Sequence, residues 1–199
     1  MCRALCAGSL IAALASTGCG GGTEPNTAVP LERMPLDSWT VIQPFGVWNP
    51  NWNGYHLAVD AVAPAGTPVM ASSAGQVLLA ESGVTGYGAL VLIVHELPEG
   101  TVTTLYGHLS SRRGLAVATG DDVAAGQLLG TTADDDEDGG AWGPHLHFGV
   151  RRGAPGLDAE TCGIWPYVGY TRTCAGWSHD RFRDQWLDPH DVLPITFVQ

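Results

Sequence analysis

The chain has 199 residues, of which 45% are hydrophobic, and a formal net charge of −11 at pH 7. This length and hydrophobic content indicate one folded domain with its own core, and they exclude a disordered chain. The nine basic residues are all arginine and form no cluster, which excludes nucleic acid and an anionic membrane surface as electrostatic partners.

Residues 1–19 carry the features of a secretion signal. One basic residue, Arg3, precedes a short apolar run at residues 10–15 and a group of small residues. The run is far shorter than the ~20 residues that a membrane span needs. Small residues followed by Cys19 resemble a bacterial lipoprotein signal, in which Cys19 is lipidated, although Ser16 stands where such signals usually carry leucine. We therefore expect an exported protein, a cell-envelope lipoprotein on the periplasmic or outer-membrane side in preference to a freely secreted one.

The segment after the signal, residues 20–38, contains Gly, Pro and Thr with little periodicity, which predicts a flexible linker. From residue 39 to residue 150, short β-rich runs alternate with glycine turns. Regular strand spacing with turn signals predicts an all-β domain of antiparallel sheets packed as a sandwich or barrel. The clearest strand candidates are residues 67–71, 75–80, 89–95 and 101–106.

Two short patterns in this domain contain residue types that bind metal ions. His56 and Asp60 would lie about 13 Å apart in an extended chain, so they share one ion only if the chain bends between them. His145 and His147 fall on one face of a strand, opposite two apolar neighbours. Imidazole and carboxylate are both zinc ligands. Taken alone, the first pattern is more often a surface turn, and the second is as often an exposed strand face.

A third pattern ends a predicted strand, where Tyr106 and His108 are expected on one side. A lone histidine at a strand end is usually structural. The order of the three patterns changes this interpretation. An HxxxD pattern, then Tyr-x-His-Leu, then Gly-Pro-His-Leu-His-Phe at residues 143–148 resembles the lysostaphin/LytM-type zinc endopeptidases, which cut peptides of bacterial cell walls. The resemblance covers about residues 45–150 and extends to Asp188-Pro189.

The resemblance implies a LytM-like peptidase core at residues 39–150 and a role for each patterned residue. His56, Asp60 and His147 would hold one zinc ion, with water in the fourth position. His108 and His145 would act as general base and as stabiliser of the developing oxyanion. The residue spacing by itself leaves open which of the two histidines in the last pattern is the ligand.

The chain departs from the family pattern at two positions. Ala58 stands where the family usually has glycine, and Gly149 where it often has an acid. If the backbone at Ala58 needs a positive φ, it stores about 1 kcal/mol of strain. Neither change removes a ligand or a catalytic histidine, so we predict an active enzyme.

Other residues near these patterns are weaker candidates. Trp52, Tyr55 and Tyr106 are candidates for lining a substrate groove, although aromatic residues beside a site more often pack against a core. In the acidic run 134–138, Asp134, Asp136 and Asp138 match the opening of a calcium loop. The twelfth position of that loop is His145 and not glutamate. We therefore favour a solvated loop over a Ca²⁺ site or a contact with a cationic substrate group.

Residues 151–199 are predicted to form an irregular extension packed on the core. Cys162 and Cys174 are an even pair in an oxidising compartment, which predicts a disulfide. A zinc site of Cys and His is the rival interpretation, but neither cysteine has a CxxC partner.

The sequence thus predicts a zinc metalloendopeptidase that acts on peptidoglycan peptides as a monomer and meets the membrane only through a lipid anchor. Two alternatives stay open. One is a non-catalytic module that binds the cell wall or activates a hydrolase, and the other is an exported zinc peptidase that acts on proteins.

Overall fold

The computed structural model describes residues 30–137, 143–154, 169–171 and 181–194. Within these ranges the chain is almost entirely β, as predicted, and its helical segments are a 3₁₀ turn at Arg181–Asp184 and a short helix, α1, at Pro189–Val192. No helix in the described ranges has the length and hydropathy of a membrane span. The strands are β1 (Val41–Gln43), β2 (Trp48–Asn49), β3 (Gly54–Tyr55), β4 (Val59–Val62), β5 (Pro68–Met70), β6 (Gly75–Val84), β7 (Gly88–Leu97), β8 (Gly100–Leu109), β9 (Asp122–Val123), β10 (Leu128–Thr131), β11 (His145–Arg152) and β12 (Trp186–Leu187).

Most strands belong to one antiparallel sheet with the order β1-β4-β11-β8-β7-β6-β9, and β12 pairs with β11 beside β4. Two small sheets, β5–β10 and β2–β3, complete the described part. The long central strands β7, β8 and β11 provide the frame. Antiparallel β structure, predicted from strand spacing, is therefore confirmed.

The central strands are buried on both faces of the sheet. In β7, Val91 and Ile93 join one apolar cluster, while Leu90 and Leu92 join a second cluster on the opposite face. All four are completely buried. This alternation follows from the two-residue period of a strand, and it explains why β7 reads as a continuous apolar run.

Residues 30–38, the C-terminal part of the predicted linker, pack against the domain. Leu31 and Leu36 are 2% and 3% exposed and belong to the main apolar cluster. The Leu31 N–H donates to the carbonyl of Val192, and the carbonyl of Pro35 accepts from the Met70 N–H. The prediction of a linker over these residues was wrong, because the low periodicity of the segment conceals two leucines that fill the core.

The end of the chain returns to the sheet. Residues Trp186 and Leu187 pair with β11, and Leu187, Val192 and Leu193 are buried in the main cluster. The predicted lipidation site, Cys19, and the predicted disulfide between Cys162 and Cys174 lie outside the described residues.

Candidate metal centre

The register between β4 and β11 places Asp60 directly opposite His147. Residues paired in this way on antiparallel strands have side chains on the same face of the sheet. The Nδ1 atom of His147 lies 2.8 Å from Oδ1 of Asp60. Regular sheet pairing therefore joins two of the three predicted ligand residues.

His56 reaches the same point because the chain bends. The bend lies at Leu57 and Ala58, as the spacing of His56 and Asp60 requires. It brings the His56 Nε2 atom to 3.3 Å from Asp60 Oδ1 and 3.2 Å from His147 Nδ1. Non-glycine residues of the described part have a positive φ only at Asn53 and His108, so Ala58 carries no such strain.

The environment of these three side chains favours the cation-binding forms of His147 and Asp60. All are buried, with 0%, 6% and 4% exposure for His56, Asp60 and His147. Burial lowers the pKa of His147 to about 4, so its imidazole is neutral at neutral pH. Burial raises the pKa of Asp60, but hydrogen bonds to His147 and His56 outweigh this effect and hold the pKa well below its usual range.

The donor atoms fit a metal ion. One ligand atom from each residue lies within 4.8 Å of the others. The His56 Nδ1 atom lies 3.1 Å from the carbonyl oxygen of Pro44. When Nδ1–H donates there, the lone pair remains on Nε2, which faces the other two ligand atoms. Two imidazoles and one carboxylate are a donor set that suits zinc.

The predicted catalytic histidines lie beside these ligand residues. The ring centroids of His108 and His145 are 4.3 Å apart, and that of His108 is 5.9 Å from that of His147. The Nδ1 atom of His145 lies 2.8 Å from the carbonyl of Gly143, and its Nε2 atom lies 3.9 Å from Oδ2 of Asp60. The structure thus brings together every predicted ligand and catalytic residue.

A bulge in β8 turns His108 toward the centre. Tyr106 pairs with Val91, but Leu109 pairs with Ala89, so β8 contains one extra residue at this point. His108 has a φ of 59°, a left-handed conformation that costs about 1–3 kcal/mol for a side chain other than glycine. Bulges of this kind redirect side chains beside active sites.

The bulge overturns the prediction that Tyr106 and His108 share a side and that Tyr106 lines a groove. Tyr106 is completely buried, its ring lies 5.2 Å from that of Phe148, and its hydroxyl accepts a hydrogen bond from the Ser72 N–H at 2.8 Å. The extra residue reverses the alternation of side chains after Tyr106, and the pattern of residue types does not reveal this reversal.

Two tyrosines that the sequence analysis did not select lie against the centre. Tyr87 stacks on His108 with a centroid distance of 5.5 Å, and Tyr170 lies 5.0 Å from His56. The Tyr170 hydroxyl accepts a hydrogen bond from Gln43 Nε2 at 2.7 Å. Its pKa is raised to about 12 by burial and by the charge of Asp60. For Tyr87 the sequence contained a turn signal, because this residue stands between Gly86 and Gly88. Both glycines have a positive φ in the structure.

The remaining groove candidates lie on the Tyr170 side. Trp52 stacks on Tyr170 at 5.5 Å, whereas Tyr55 stacks on Phe182 at 5.5 Å. Both are half-buried. Trp52 is therefore linked to the ligand residues through Tyr170.

The acidic run 134–137 lies beyond the centre. Asp134 and Asp136 form ion pairs with Arg113 and Arg112 at 2.9 and 2.8 Å. Both carboxylates proposed as calcium ligands are thus engaged by arginine, and Asp138 lies outside the described residues.

Gly149 is closely surrounded, so a side chain there would be tightly packed. A Cβ atom there would lie 3.2 Å from the Trp186 ring and 3.7 Å from Cβ of Ala58. The two departures from the family pattern are therefore neighbours in space.

Comparison with known proteins places this geometry in context. A model of Peptidase family M23 matches residues 54–159. The chain is 29% identical over 150 residues to the uncharacterized lipoprotein YgeR of Escherichia coli, covering 68% of this chain and 54% of the relative. It is 26% identical over 151 residues to the murein hydrolase activator NlpD of Salmonella dublin, covering 73% of this chain and 36% of the relative. The chain thus spans about half of one relative and about a third of the other.

A solved structure agrees with the sequence matches. The catalytic domain of the antimicrobial peptidase lysostaphin from Staphylococcus simulans superposes with a TM-score of 0.52 and 25% identity. The match covers 76% of this chain and 90% of that domain.

Proposed function

The chain belongs to peptidase family M23, and on this premise we propose that it is a zinc metalloendopeptidase that hydrolyses peptide bonds in the stem peptides or crossbridges of peptidoglycan. The family acts on peptidoglycan. One observation carries the proposal. The His108–His145 pair lies beside the side chains that can hold a metal ion, because His145 is 3.9 Å from Asp60 and the ring of His108 is 5.9 Å from that of His147.

His56, Asp60 and His147 are the residues that would hold the ion. Their donor atoms, their burial and the second hydrogen bond of His56 to the Pro44 carbonyl support zinc as the occupant. When bound, zinc supplies Lewis-acid polarisation of a carbonyl group and lowers the pKa of a water molecule. Two neutral imidazoles and one carboxylate leave the occupied site with a net charge of about +1.

His145 is the better candidate for general base. With Nδ1–H donating to the Gly143 carbonyl, the lone pair of a neutral His145 lies on Nε2, on the Asp60 side. This atom can accept a proton from the attacking water and later return it to the leaving amine. His108, whose ring is adjacent, is assigned to stabilising the oxyanion that develops on the scissile carbonyl.

The cell envelope is the proposed location. The signal-like residues 1–19 support export, and one relative is named a lipoprotein. A lipid at Cys19, followed by a short tether, would hold the domain near its substrate. The assignment of residues 39–150 as the catalytic core and the Cys162–Cys174 disulfide remain part of this proposal.

A second candidate function has a specific observation in its favour. The similarity to NlpD supports a non-catalytic role as an activator of murein hydrolases. The two functions differ in their dependence on His145, because an activator does not need a general base.

The deciding experiment incubates residues 20–199 with zinc and purified peptidoglycan and identifies the released fragments by mass spectrometry. We expect new fragments that identify the bond cut. A His145→Ala variant is the matched control, since it keeps every proposed ligand, and we expect it to bind zinc and release nothing.

Two results would contradict the endopeptidase. In the first, neither protein releases fragments although both bind zinc. In the second, neither protein releases fragments by itself but both stimulate a separate murein hydrolase equally, which supports the activator instead.

A further inference from the structure

Among the described acids of the run, residues 134–137, Glu137 has a buried carboxylate, and the metal centre does not use it. The side chain of Glu137 is 1% exposed, whereas those of Asp134 and Asp136 are 41% and 70% exposed. A carboxylate is buried without great cost only where hydrogen bonds replace its water. The contacts of Glu137 therefore indicate what the run does.

Glu137 accepts hydrogen bonds from two different segments. Ser110 Oγ lies 2.9 Å from both carboxylate oxygens, and the Arg112 N–H donates to Oε2 at 2.9 Å. The Asp134 N–H donates to Oε1 at 3.0 Å. Burial raises the pKa of Glu137, but the backbone hydrogen bonds outweigh it and the pKa is lowered. An ionised Glu137 thus joins residues 110–113, after β8, to residues 132–137, after β10.

The first of these segments begins two residues after His108. The His108 carbonyl accepts from the Ala133 N–H at 2.8 Å, and the Ser110 N–H donates to the Thr131 carbonyl at 2.8 Å. The positive φ of His108 is a conformation that its surroundings must maintain. The backbone hydrogen bonds of His108 and Ser110 maintain it, and the contact between Ser110 and Glu137 joins the same two segments.

We propose that Glu137 is a positioning residue for His108. Its carboxylate holds the two segments together and so keeps the His108 ring 4.3 Å from that of His145. The expected effect on kcat rests on the proposed function, whereas the expected effect on the position of the His108 ring does not. Asp136 has no part in this role, because both it and its partner Arg112 are exposed. Asp134 pairs with Arg113, which also lies 3.7 Å from Glu137 Oε1 and donates to the Thr132 carbonyl.

The test uses Glu137→Gln, which keeps the size of the side chain but removes its charge and places an amide nitrogen among hydrogen-bond donors. On a soluble peptidoglycan fragment we expect kcat to fall about 10-fold, with KM within about twofold and the zinc content unchanged. Asp136→Asn is the matched control, because it removes an exposed ion pair from the same loop, and its kcat should equal that of the unchanged protein.

A double-mutant cycle separates positioning from general loosening of the fold. If Glu137 acts through His108, the Glu137→Gln change alters kcat less than about twofold in a His108→Ala background. Equal losses in both backgrounds, or an unchanged kcat in the single variant, would overturn the proposal. Should Glu137→Gln fail to fold, Ser110→Ala removes one donor and leaves the carboxylate, and the same dependence on His108 is expected.

A second readout does not require activity. In NMR spectra of protein with ¹³C-labelled histidine, we expect the chemical shifts of the His108 ring to change in Glu137→Gln and to remain unchanged in Asp136→Asn. Unmoved signals in both would refute the positioning role. If the signals move as expected but the unchanged protein cleaves no peptidoglycan, the proposed function fails and the positioning role stands.

Discussion

The ligand side of the metal centre and its His108 side are held by different kinds of backbone. Asp60 and His147 are paired residues on neighbouring regular strands, and His56 precedes a bend with no positive φ at Leu57 and Ala58. His108 lies at a bulge, in a left-handed conformation, at the end of β8. Sheet register places Asp60 and His147, and a bend adds His56, whereas the position of His108 depends on an irregular pairing of β7 and β8 and on contacts outside the sheet.

This difference indicates which substitutions should leave metal binding intact and which should alter catalysis. Register is shared by many residues, so a substitution in a neighbouring loop leaves the ligand residues in place. A strained conformation is maintained by a few contacts, such as those of Tyr87 and Glu137. We therefore expect loop and turn variants to alter catalysis while metal binding persists.

The largest effect is expected from Asp60→Asn. This change removes the negative charge that both His56 and His147 contact, and charge on a ligand dominates the affinity for a divalent ion. We expect less than stoichiometric zinc by atomic emission and activity at the background level. Full zinc content would show that the register alone, without the charge, suffices for binding.

A smaller effect is expected when the histidine pair is changed. His108→Ala and His145→Ala should each lower kcat by about 10²- to 10⁴-fold, the range of general acid–base catalysis. Zinc content should remain near one ion per chain, because neither residue is among the proposed ligands. Loss of zinc in either variant would contradict the separation of the ligand residues from the His108–His145 pair.

Gly107→Ala tests the bulge itself. A Cβ at Gly107 would lie 2.6 Å from the Tyr87 ring, so this ring must move, and it stacks on His108. We expect a loss of about 10- to 100-fold in kcat with unchanged zinc content, since small displacements of catalytic groups are costly. Gly130→Ala is the control, because its nearest neighbour is the end of a flexible leucine at 3.3 Å. A fully active Gly107→Ala variant would contradict the importance of this geometry.

The smallest effect concerns stability and uses His95 as a reference. His95 is completely buried on β7, bonded to the Ala74 carbonyl and to Thr104 Oγ1, and burial lowers its pKa from the usual 6.5. The unfolded chain then binds this proton more readily than the folded chain, so the free energy of unfolding decreases as pH falls below 6.5.

Denaturant unfolding between pH 5 and pH 7.5 measures this dependence. We expect the free energy of unfolding to depend less steeply on pH in His95→Gln, with activity at pH 7.5 changed less than about twofold. An identical slope in both proteins would assign the pH dependence to other groups. A large loss of activity would show that a histidine on a regular strand contributes to the centre without contacting it.

Much of the centre could be predicted from the sequence because its patterns resemble those of a known family, and local rules agree with that resemblance. The two-residue period of a strand places His145 and His147 on one face, and the reach of an extended chain requires the bend between His56 and Asp60. The all-β fold follows from strand spacing.

Several features were decided by tertiary structure. The bulge that separates Tyr106 from His108 depends on how β7 and β8 pair, and pairing is not encoded in either strand alone. Tyr170 reaches His56 from a distant part of the chain. The burial of Leu31 and Leu36 requires a core that the rest of the domain supplies.

The sequence by itself therefore determined which residue types are present and which face each occupies along a regular strand, because these depend on local periodicity. The tertiary structure decided which side chain is turned by an irregularity, which aromatic rings cover the ligands and which acid is buried. These depend on contacts between residues far apart in the chain, and local periodicity carries no information about them.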